Sequence, residues 1–289
     1  MSPEKTYPFN PSTDIPSPNG KVILITGANT GLGKATAIEL SKHSPEHIYL
    51  TSRNSTKGNT ALNEVKSVAS EGTKHQGGRK GLSKATRLNA GVMGAPPVLT
   101  KDGYEAYMGT NHLGHALLFK LLQPTLQKTA ATGADVRVIH LSSAGFRHVG
   151  PAGIEFETLK SATSETSLPL RYAQSKLACL LYAREAAKRI PNIKNIAINP
   201  GEVDTELFTR EPGDDHMKML QTEVAPKVVI PISEGVKNHL WATTCPDIEN
   251  GEFYEPVGKT GGLEGHGLDD EMARKLWEWT EEQLKDQSL

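Results

Sequence analysis

Short apolar runs alternate with longer amphipathic stretches along most of this chain. The first run, residues 21–25 (KVILI), is typical of a strand that is buried on both faces of a sheet. A glycine-rich turn, a helical pattern over 32–43 and a second apolar run over 47–51 follow it. This order of strand, helix and strand predicts a parallel pair joined by a right-handed crossover.

The same alternation continues toward the C-terminus. Helices are predicted near 61–69, over 104–129, 172–190 and 234–243, and from 269 or 270 onward, and strands are predicted over 136–141, 193–199 and 252–257. Helices that connect parallel strands pack on both faces of the sheet, so the pattern predicts an α/β fold with a doubly wound parallel sheet. No repeat or linker interrupts it. We therefore expect a single domain over 21–289, preceded by a polar, proline-rich arm over 1–20 that lies on the surface or is partly disordered.

The charge balance and the cysteine count argue against several classes of protein. The 32 Lys and Arg residues against 33 Asp and Glu residues give a net charge of −1, which supplies no field for a polyanion, so no nucleic-acid partner is expected. Two cysteines cannot form a disulfide framework. No stretch approaches the roughly 18 apolar residues of a membrane-spanning helix. The sequence predicts a cytoplasmic protein without a membrane span.

The turn after the first predicted strand, TGANTGLG over 26–33, has the composition of a dinucleotide phosphate site. Its glycines let the backbone turn sharply and approach a pyrophosphate at the N-terminus of the next helix. A Walker phosphate loop is excluded because Ala35 stands where Ser or Thr should bind magnesium. A tight connection without a ligand is the alternative. The candidate cofactor contacts are Gly27, Asn29, Thr30, Gly31, Leu32 and Gly33.

The end of the second predicted strand distinguishes between two cofactors. An acidic residue there would accept the adenosine ribose hydroxyls of NAD. This chain has Arg53 after Thr51 and Ser52, with no carboxylate. A planar guanidinium suits the 2′-phosphate of NADP, so Arg53 predicts NADP(H) as the cofactor. The alternative is an arginine that only solvates the end of the strand.

A tyrosine and a lysine four residues apart are the candidate acid–base pair. Tyr172 and Lys176 would share a helix face, and the ammonium is expected to lower the tyrosine pKa toward the working range of a general acid. The alternative is a surface lysine on an amphipathic helix. Ser143 follows the strand predicted over 136–141, at the carboxyl edge where open α/β sheets place their chemistry. Its hydroxyl could hold a substrate carbonyl oxygen.

The ordered motifs resemble a known family. TGANTGLG, NAG at 89–91, TNHLGH at 110–115, LSS ending in Ser143, YAQSK and NPGEVDT at 199–205 are together similar to the classical short-chain dehydrogenase/reductase family. The segments GYEAYMGTNHLGHALL, YAQSKLA and GEFYEPVGK resemble its branch of retinol dehydrogenases and WW-domain oxidoreductases, including fungal members. The resemblance covers about residues 21–284 and implies a Rossmann-like fold and hydride chemistry on a nicotinamide cofactor.

The resemblance also implies a role for each matching residue. Tyr172 would be the proton donor or acceptor, Lys176 would hold the nicotinamide ribose, and Ser143 would orient the substrate oxygen. Asn111 would fix a water in the proton relay. The cofactor contacts implied in this way are Asn89, Ala90, Gly91, Asn111, Tyr172, Lys176, Pro200, Gly201, Val203 and Thr205.

Two further groups of residues invite a functional interpretation. His112 and His115 could imitate metal ligands, but no third ligand is spaced with them, so packing is expected. Residues 208–228 lie where the family has its substrate lid. Met217, Met219 and Leu220 in that segment would line an apolar pocket or belong to the core.

The interval between Asn54 and Asn89 is short for the family. Residues 71–88 are basic, rich in glycine and nearly devoid of β-branched side chains, which argues against two buried strands there. The sequence therefore predicts a shortened region of the third and fourth strands, a sheet lacking at least one strand beside the first, and an adenine pocket open on one side. It also predicts early proteolysis around 74–84. An altered exon and a decayed enzyme would each explain the interval.

Taken together, these patterns predict an NADP-dependent oxidoreductase that interconverts an alcohol with a ketone or aldehyde on a small apolar molecule. A role in fungal secondary metabolism follows from the resemblance alone, and a homodimer is compatible with it. The alternative is a catalytically impaired Rossmann-like binding or regulatory protein that has lost cofactor affinity through the shortened interval.

Overall fold

Parallel strands in the order 3-2-1-4-5-6-7 form the sheet at the centre of the protein. The computed structural model describes residues 8–18, 20–70, 72–77, 85–162, 166–206 and 218–287, without the side chains of 75–77 and 220. The strands in these ranges are β1 Val22–Ile25, β2 His47–Leu50, β3 Lys74–Gly77, β4 Ala85–Leu88, β5 Arg137–Leu141, β6 Lys194–Ile198 and β7 Phe253–Tyr254.

Helices lie between most of the strands, as the hydrophobic pattern predicts. The described α-helices are α1 Pro11–Asp14, α2 Gly31–Ser41, α3 Ser55–Val68, α4 Gly114–Ala130, α5 Leu168–Arg189, α6 Ala225–Val228, α7 Ile232–Thr244 and α8 Asp270–Gln283. Short 3-10 helices span Ala144–His148, Phe156–Thr158 and Gly265–Leu268, and π-helical turns span Met108–Leu113 and Leu220–Val224. The first π-helical turn interrupts the helix that the sequence predicts as continuous over 104–129.

Both faces of the sheet are buried, which confirms the doubly wound α/β fold. Along β1, Leu24 faces the core that contains α4, α5 and α8, whereas its neighbours Ile23 and Ile25 face the core that contains α2 and α7. Side chains of a strand alternate between the two faces, so a continuous aliphatic run fits a strand with helices on either side.

The expectation that the sheet lacks a strand beside β1 is wrong. β4 pairs with both β1 and β5, and β3 pairs with β2 at the edge. Main-chain hydrogen bonds to two existing strand edges hold β4 in place although its sequence, ATRL, has low strand propensity. The residues between β3 and β4, 78–84, lie outside the described residues, so the adenine pocket open on one side stays a prediction.

The unsuitable sequence of β4 leaves a charged side chain in the core. Arg87 is 1% exposed, and its Nη2 donates a hydrogen bond to the main-chain oxygen of His239 over 2.6 Å. Its Nε and Nη1 have no hydrogen-bond partner among the described residues. Burial, and secondarily the neighbouring Arg137, lowers the pKa of Arg87 to about 9. This strand is therefore formed at a cost in electrostatic energy.

The described part of the N-terminal arm packs on the domain rather than extending from it. Ile15 is buried in the same core as Ile23, and Phe9 packs against that core. Within the described ranges, no helix is long and apolar enough to cross a membrane.

Candidate active site

The glycine turn between β1 and α2 forms one wall of a cleft at the carboxyl edge of the sheet. Gly27 and Gly31 have φ angles of +62° and +53°, which favour glycine. A Cβ at Gly33 would lie 2.6 Å from both the Asn89 Nδ2 atom and the Gly27 main-chain oxygen. The glycines thus permit the tight turn and the close packing of α2 on it, and they bring the N-terminus of α2 to the cleft.

This first cleft has a volume of about 820 Å³ and collects most of the predicted cofactor contacts. It is lined by Gly27, Asn29, Thr30, Gly31, Leu32, Arg53, Asn89, Ala90, Gly91, Tyr172, Lys176 and Thr205, together with residues that the sequence analysis did not single out, including Lys57, Val92, Thr110 and Glu206. Gly33 and Asn111 support this wall from behind without lining it. The elongated set, from the glycine turn to Tyr172, is suited to a dinucleotide.

Positive charge gathers at the β2 end of the cleft. Arg53 is exposed and has no hydrogen bond or ion pair with any residue in the described ranges. Lys57, in the first turn of α3, forms an exposed ion pair with Glu206 across 3.6 Å. Two cations and one competing carboxylate therefore surround the place where an adenosine ribose would lie.

Tyr172 and Ser143 meet at the other end of the cleft. Tyr172 lies in the first turns of α5, and Ser143 caps the 3-10 helix Ala144–His148, where its Oγ accepts a hydrogen bond from the Gly145 amide over 3.0 Å. A Cβ at Gly145 would lie 3.3 Å from both the Ser143 Oγ and a ring carbon of Tyr172. Gly145, which the sequence analysis missed, leaves room for both side chains.

The pKa of Tyr172 shifts upward, contrary to the expected lowering by Lys176. Burial is the main cause, Glu202 adds to it, and the hydrogen bond with Ser143 opposes it. The Lys176 Nζ lies 5.7 Å from the centroid of the tyrosine ring and donates to the Leu141 main-chain oxygen over 3.0 Å. Burial also lowers the pKa of Lys176, which weakens the influence of its charge on the phenol.

Asn111 lies in the π-helical turn before α4, and its side chain binds the segment after β4. Its Oδ1 accepts from the Val92 amide over 2.8 Å, and its Nδ2 donates to the Ser175 Oγ over 2.9 Å. Ser175 precedes Lys176 on α5. The asparagine therefore connects one wall of the cleft to the helix that carries Tyr172 and Lys176.

A buried histidine connects Asn111 to the glycine turn. Burial lowers the pKa of His115 to about 3, so the ring is neutral near pH 7. Its Nδ1 lies 3.1 Å from the Asn111 main-chain oxygen and must donate to it, which leaves Nε2 to accept from the Thr26 hydroxyl at 3.0 Å. The Thr26 Oγ1 in turn accepts from the amides of Asn89 and Ala90, each over 2.9 Å. The sequence signal for this network was the spacing of four residues between Asn111 and His115.

The interpretation of the two histidines as packing residues agrees with their contacts. His112 is buried, and its Nε2 lies 2.8 Å from the Thr280 Oγ1 of α8. No group of three or more histidine, cysteine, aspartate or glutamate side chains in the described ranges could hold a metal ion.

A second cavity of about 530 Å³ opens from the first at Tyr172 and Lys176. Leu32, Leu141 and Thr205 also line both spaces. The predicted contacts Pro200, Gly201 and Val203 line the second cavity, together with Ser143. A group bound in this cavity and one bound in the cleft would therefore meet beside the tyrosine hydroxyl.

Part of the predicted lid borders the second cavity. Val224 and Val228 line it, whereas Met219 is 36% exposed and does not. Met217 lies outside the described residues, as does the side chain of Leu220.

The sequence matches proteins of one family along most of its length. A family model described as the KR domain matches residues 21–91. A short-chain dehydrogenase/reductase of Armillaria gallica is 32% identical to this chain, in an alignment that covers 94% of this chain and 93% of that protein. Retinol dehydrogenase 12 of Homo sapiens is 31% identical, with 89% of this chain and 84% of that protein covered.

Solved structures share the same architecture. An uncharacterized protein from Mycobacterium paratuberculosis superposes with a TM-score of 0.71 at 27% identity, covering 96% of this chain and 97% of that chain. A short chain dehydrogenase from Escherichia coli CFT073, complexed with NADPH, superposes with a TM-score of 0.60 at 18% identity, covering 82% and 97%. At 18% identity, the likeness to the Escherichia coli structure shows only that the two proteins share a fold.

Proposed function

We propose, from the premise that this chain belongs to the short-chain dehydrogenase/reductase family, that it interconverts an alcohol with a ketone or aldehyde on a small apolar molecule and uses NADP(H). Membership of the family makes the protein an oxidoreductase. The observation that carries the finer proposal is the meeting of an elongated cleft and a separate cavity at Tyr172 and Lys176.

The residues of the cleft fit a nicotinamide dinucleotide. Gly27 and Gly31 have positive φ angles, and the space beside Gly33 is too crowded for a Cβ. These glycines therefore place no side chain between the main-chain amides of the turn and a pyrophosphate bound there. When bound, NADPH supplies a hydride to the carbonyl carbon of the substrate. Lys176 and Thr205, which line both spaces, would hold the nicotinamide half.

The protein's own part in the reaction is to position the carbonyl and supply a proton. Tyr172 donates its phenolic proton to the carbonyl oxygen as the C–H bond forms, so the products are the alcohol and NADP⁺; oxidation is the reverse. Ser143 donates a hydrogen bond to the same oxygen. The raised pKa of Tyr172 keeps the phenol protonated at neutral pH, which suits the reductive direction.

The preference for NADP(H) is proposed from the unpaired charge of Arg53. A dianionic 2′-phosphate gives its guanidinium a partner that it lacks among the described residues, and Lys57 lies on the same rim. NADH would leave both cations without that partner.

The apolar character of the substrate is proposed from the second cavity. Met93, Tyr107, Leu168, Pro169, Val224 and Val228 supply much of its lining. A role in fungal secondary metabolism and a cytoplasmic location remain predictions from the sequence.

Titration with both cofactors tests the proposal directly. We expect NADPH to bind about 10- to 100-fold more tightly than NADH, the contribution of one charge-assisted pair. Arg53→Gln should remove most of that preference. The matched control is Arg274→Gln, which removes an exposed arginine on α8, where its partner is Glu278.

Two results would contradict the proposal. Equal affinity for both cofactors, or a preference that survives Arg53→Gln, would refute the NADP(H) assignment. If neither NADPH nor NADH binds, the result would favour the alternative, a binding or regulatory protein that has lost cofactor affinity.

A further inference from the structure

The second cavity has a polar site besides the one that holds Ser143 and Tyr172. Glu202 and His148 both line it, in a wall that is otherwise mostly apolar. The proposed reaction uses neither side chain. An ionisable carboxylate in such a cavity is costly unless something that binds there pairs with it.

The backbone holds Glu202 in place. The Ile230 amide donates to the Glu202 main-chain oxygen over 2.7 Å, and the Asp204 amide donates to the Ile230 oxygen over 2.9 Å. Between them, Val203 is 3% exposed and packs where a Cβ at Gly235 would lie 2.3 Å from its Cγ2. The segment is thus held on both sides of Val203, the residue next to Glu202, whose side chain lines the cavity.

His148 reaches the same cavity from the element that carries Ser143. It is the last residue of the 3-10 helix Ala144–His148. On that helix Arg147 is anchored away from the cavity, through Glu255 at 3.1 Å and Glu264 at 2.8 Å. The anchoring fixes the helix, and with it the position of His148 relative to Ser143.

The Glu202 carboxylate has acceptor atoms to spare. No residue in the described ranges donates a hydrogen bond to it or forms an ion pair with it. Burial raises its pKa, and His148 opposes that shift. A ligand that fills the cavity displaces the water around this group, so a ligand without a donor leaves the carboxylate desolvated and unpaired.

We infer that Glu202 is a specificity-determining residue, whose carboxylate accepts a hydrogen bond from a hydroxyl group on the body of the substrate. The substrate class is then a hydroxylated apolar ketone, or the corresponding diol in the oxidative direction. This inference rests on the proposed function, because it assumes that the second cavity is the substrate site.

A hydroxyl fits this site better than an ammonium group does. It can donate to Glu202 and accept from the imidazole of His148, since it has both a proton and lone pairs. An ammonium has no lone pair and would be repelled by His148 whenever the imidazole is protonated. A hydroxyl therefore offers a donor for the carboxylate and an acceptor for the imidazole.

Matched ketones test the inference on the full-length protein. α-Tetralone, its ring-hydroxylated isomers and their methoxy counterparts differ in whether they can donate a hydrogen bond. The measured quantity is the ratio of kcat/KM for each hydroxylated isomer to that for its methoxy counterpart, with NADPH. Wild-type protein, Glu202→Leu, Glu202→Gln and the control Asp204→Asn are compared. Asp204 is exposed and does not line the cavity.

We expect at least one hydroxylated isomer to exceed its methoxy counterpart by about 10- to 100-fold in the wild type, the range of a charge-assisted hydrogen bond. The ratio should fall close to one in Glu202→Leu, take an intermediate value in Glu202→Gln and be unchanged in Asp204→Asn. A ratio close to one for every isomer in the wild type, or a preference for a hydroxylated isomer that survives Glu202→Leu, would overturn the inference.

Turnover of unsubstituted α-tetralone by the wild-type protein is read separately, because it reports on the proposed function, whereas the hydroxy-to-methoxy ratio within each variant reports on the hydrogen bond to Glu202. If no ketone is turned over, calorimetric titration of the same hydroxy and methoxy pairs into protein with NADP⁺ decides the inference. Tighter binding of a hydroxylated isomer that depends on Glu202 supports it, and equal or absent binding overturns it.

Discussion

Replacing Arg87 by methionine should stabilise the protein. Arg87 is in the central strand β4, is 1% exposed, and leaves two of its three guanidinium nitrogens without partners in the described ranges. Methionine has a similar length and no charge to desolvate. The His239 oxygen that loses the arginine donor keeps the Thr243 hydroxyl at 2.6 Å, so the substitution creates no orphaned acceptor there.

The size of the effect follows from the pKa. Burial lowers the pKa of Arg87 from 12.5 to about 9, and 3.5 units at 1.36 kcal/mol each are about 5 kcal/mol that opposes the charged form in the folded state. Replacements of buried ionic groups by apolar residues gain about 1–4 kcal/mol in practice, so we expect about 2–4 kcal/mol. For a domain of this size that corresponds to a rise in Tm of about 3–7 °C.

The pH dependence has a definite sign. Below about pH 9 the arginine is protonated in both the folded and the unfolded state, and the full penalty is present. Above pH 9 the folded state loses the proton first, so the unfolded state binds more protons and the stability of the parent protein rises with pH. The advantage of Arg87→Met should therefore be constant from pH 7 to 8.5 and shrink above pH 9.

Denaturant unfolding followed by circular dichroism at pH 7.5 measures the difference. The matched control is Arg137→Met on the neighbouring strand, because the Arg137 Nε donates to Asp135 over 2.9 Å and its Nη1 to the Ala242 oxygen over 3.1 Å. That variant should be destabilised. Unchanged or reduced stability of Arg87→Met would refute the reasoning that Arg87 is an uncompensated buried charge.

Three further predictions concern the cofactor, the chemistry and the shortened interval. Glu206→Gln should bind NADPH more tightly and leave NADH almost unchanged in a fluorescence titration, because it frees Lys57 for the 2′-phosphate; a loss of NADPH affinity would count against this competition. Tyr172→Phe should lower kcat by about 10²–10⁴ in a steady-state assay without loss of NADPH binding, because it removes the proton donor, and an unchanged kcat would exclude that role. Limited proteolysis followed by mass spectrometry should show first cleavage within residues 74–84, because this sequence is rich in glycine and lysine and has few apolar residues; first cleavage elsewhere would contradict this.

Local patterns were sufficient for most of the fold and for the candidate residues. The aliphatic run of β1, the glycine turn after it and the start of α2 are adjacent in sequence, so their order alone predicts a phosphate-binding loop at the edge of a parallel sheet. Tyr172 and Lys176 are likewise one helical turn apart, which places both on one face of α5. Such features depend on neighbours within a few residues.

The sequence prediction failed at β4 because that strand depends on distant parts of the chain. Its four residues have low strand propensity, yet strand pairing is decided by the free edges of β1 and β5, which come from distant parts of the chain. The same tertiary constraint buries Arg87, a charged residue that the sequence analysis did not single out. Long-range strand pairing can thus override local strand propensity, and the unfavourable electrostatic free energy that results falls on one buried side chain, that of Arg87.

The cavity beyond the tyrosine was also decided by the tertiary structure. Glu202 and His148 come from segments more than fifty residues apart, and only the bridge to Ile230 and the anchored 3-10 helix bring them to one space. The sequence by itself determined the parallel sheet except at β3 and β4, the glycine turn after β1, and the placement of Tyr172 and Lys176 on one helix face, because these follow from periodicity and short spacing. Burial, charge compensation and the shape of the second cavity were decided only when distant elements packed together, because each is a property of three-dimensional surroundings.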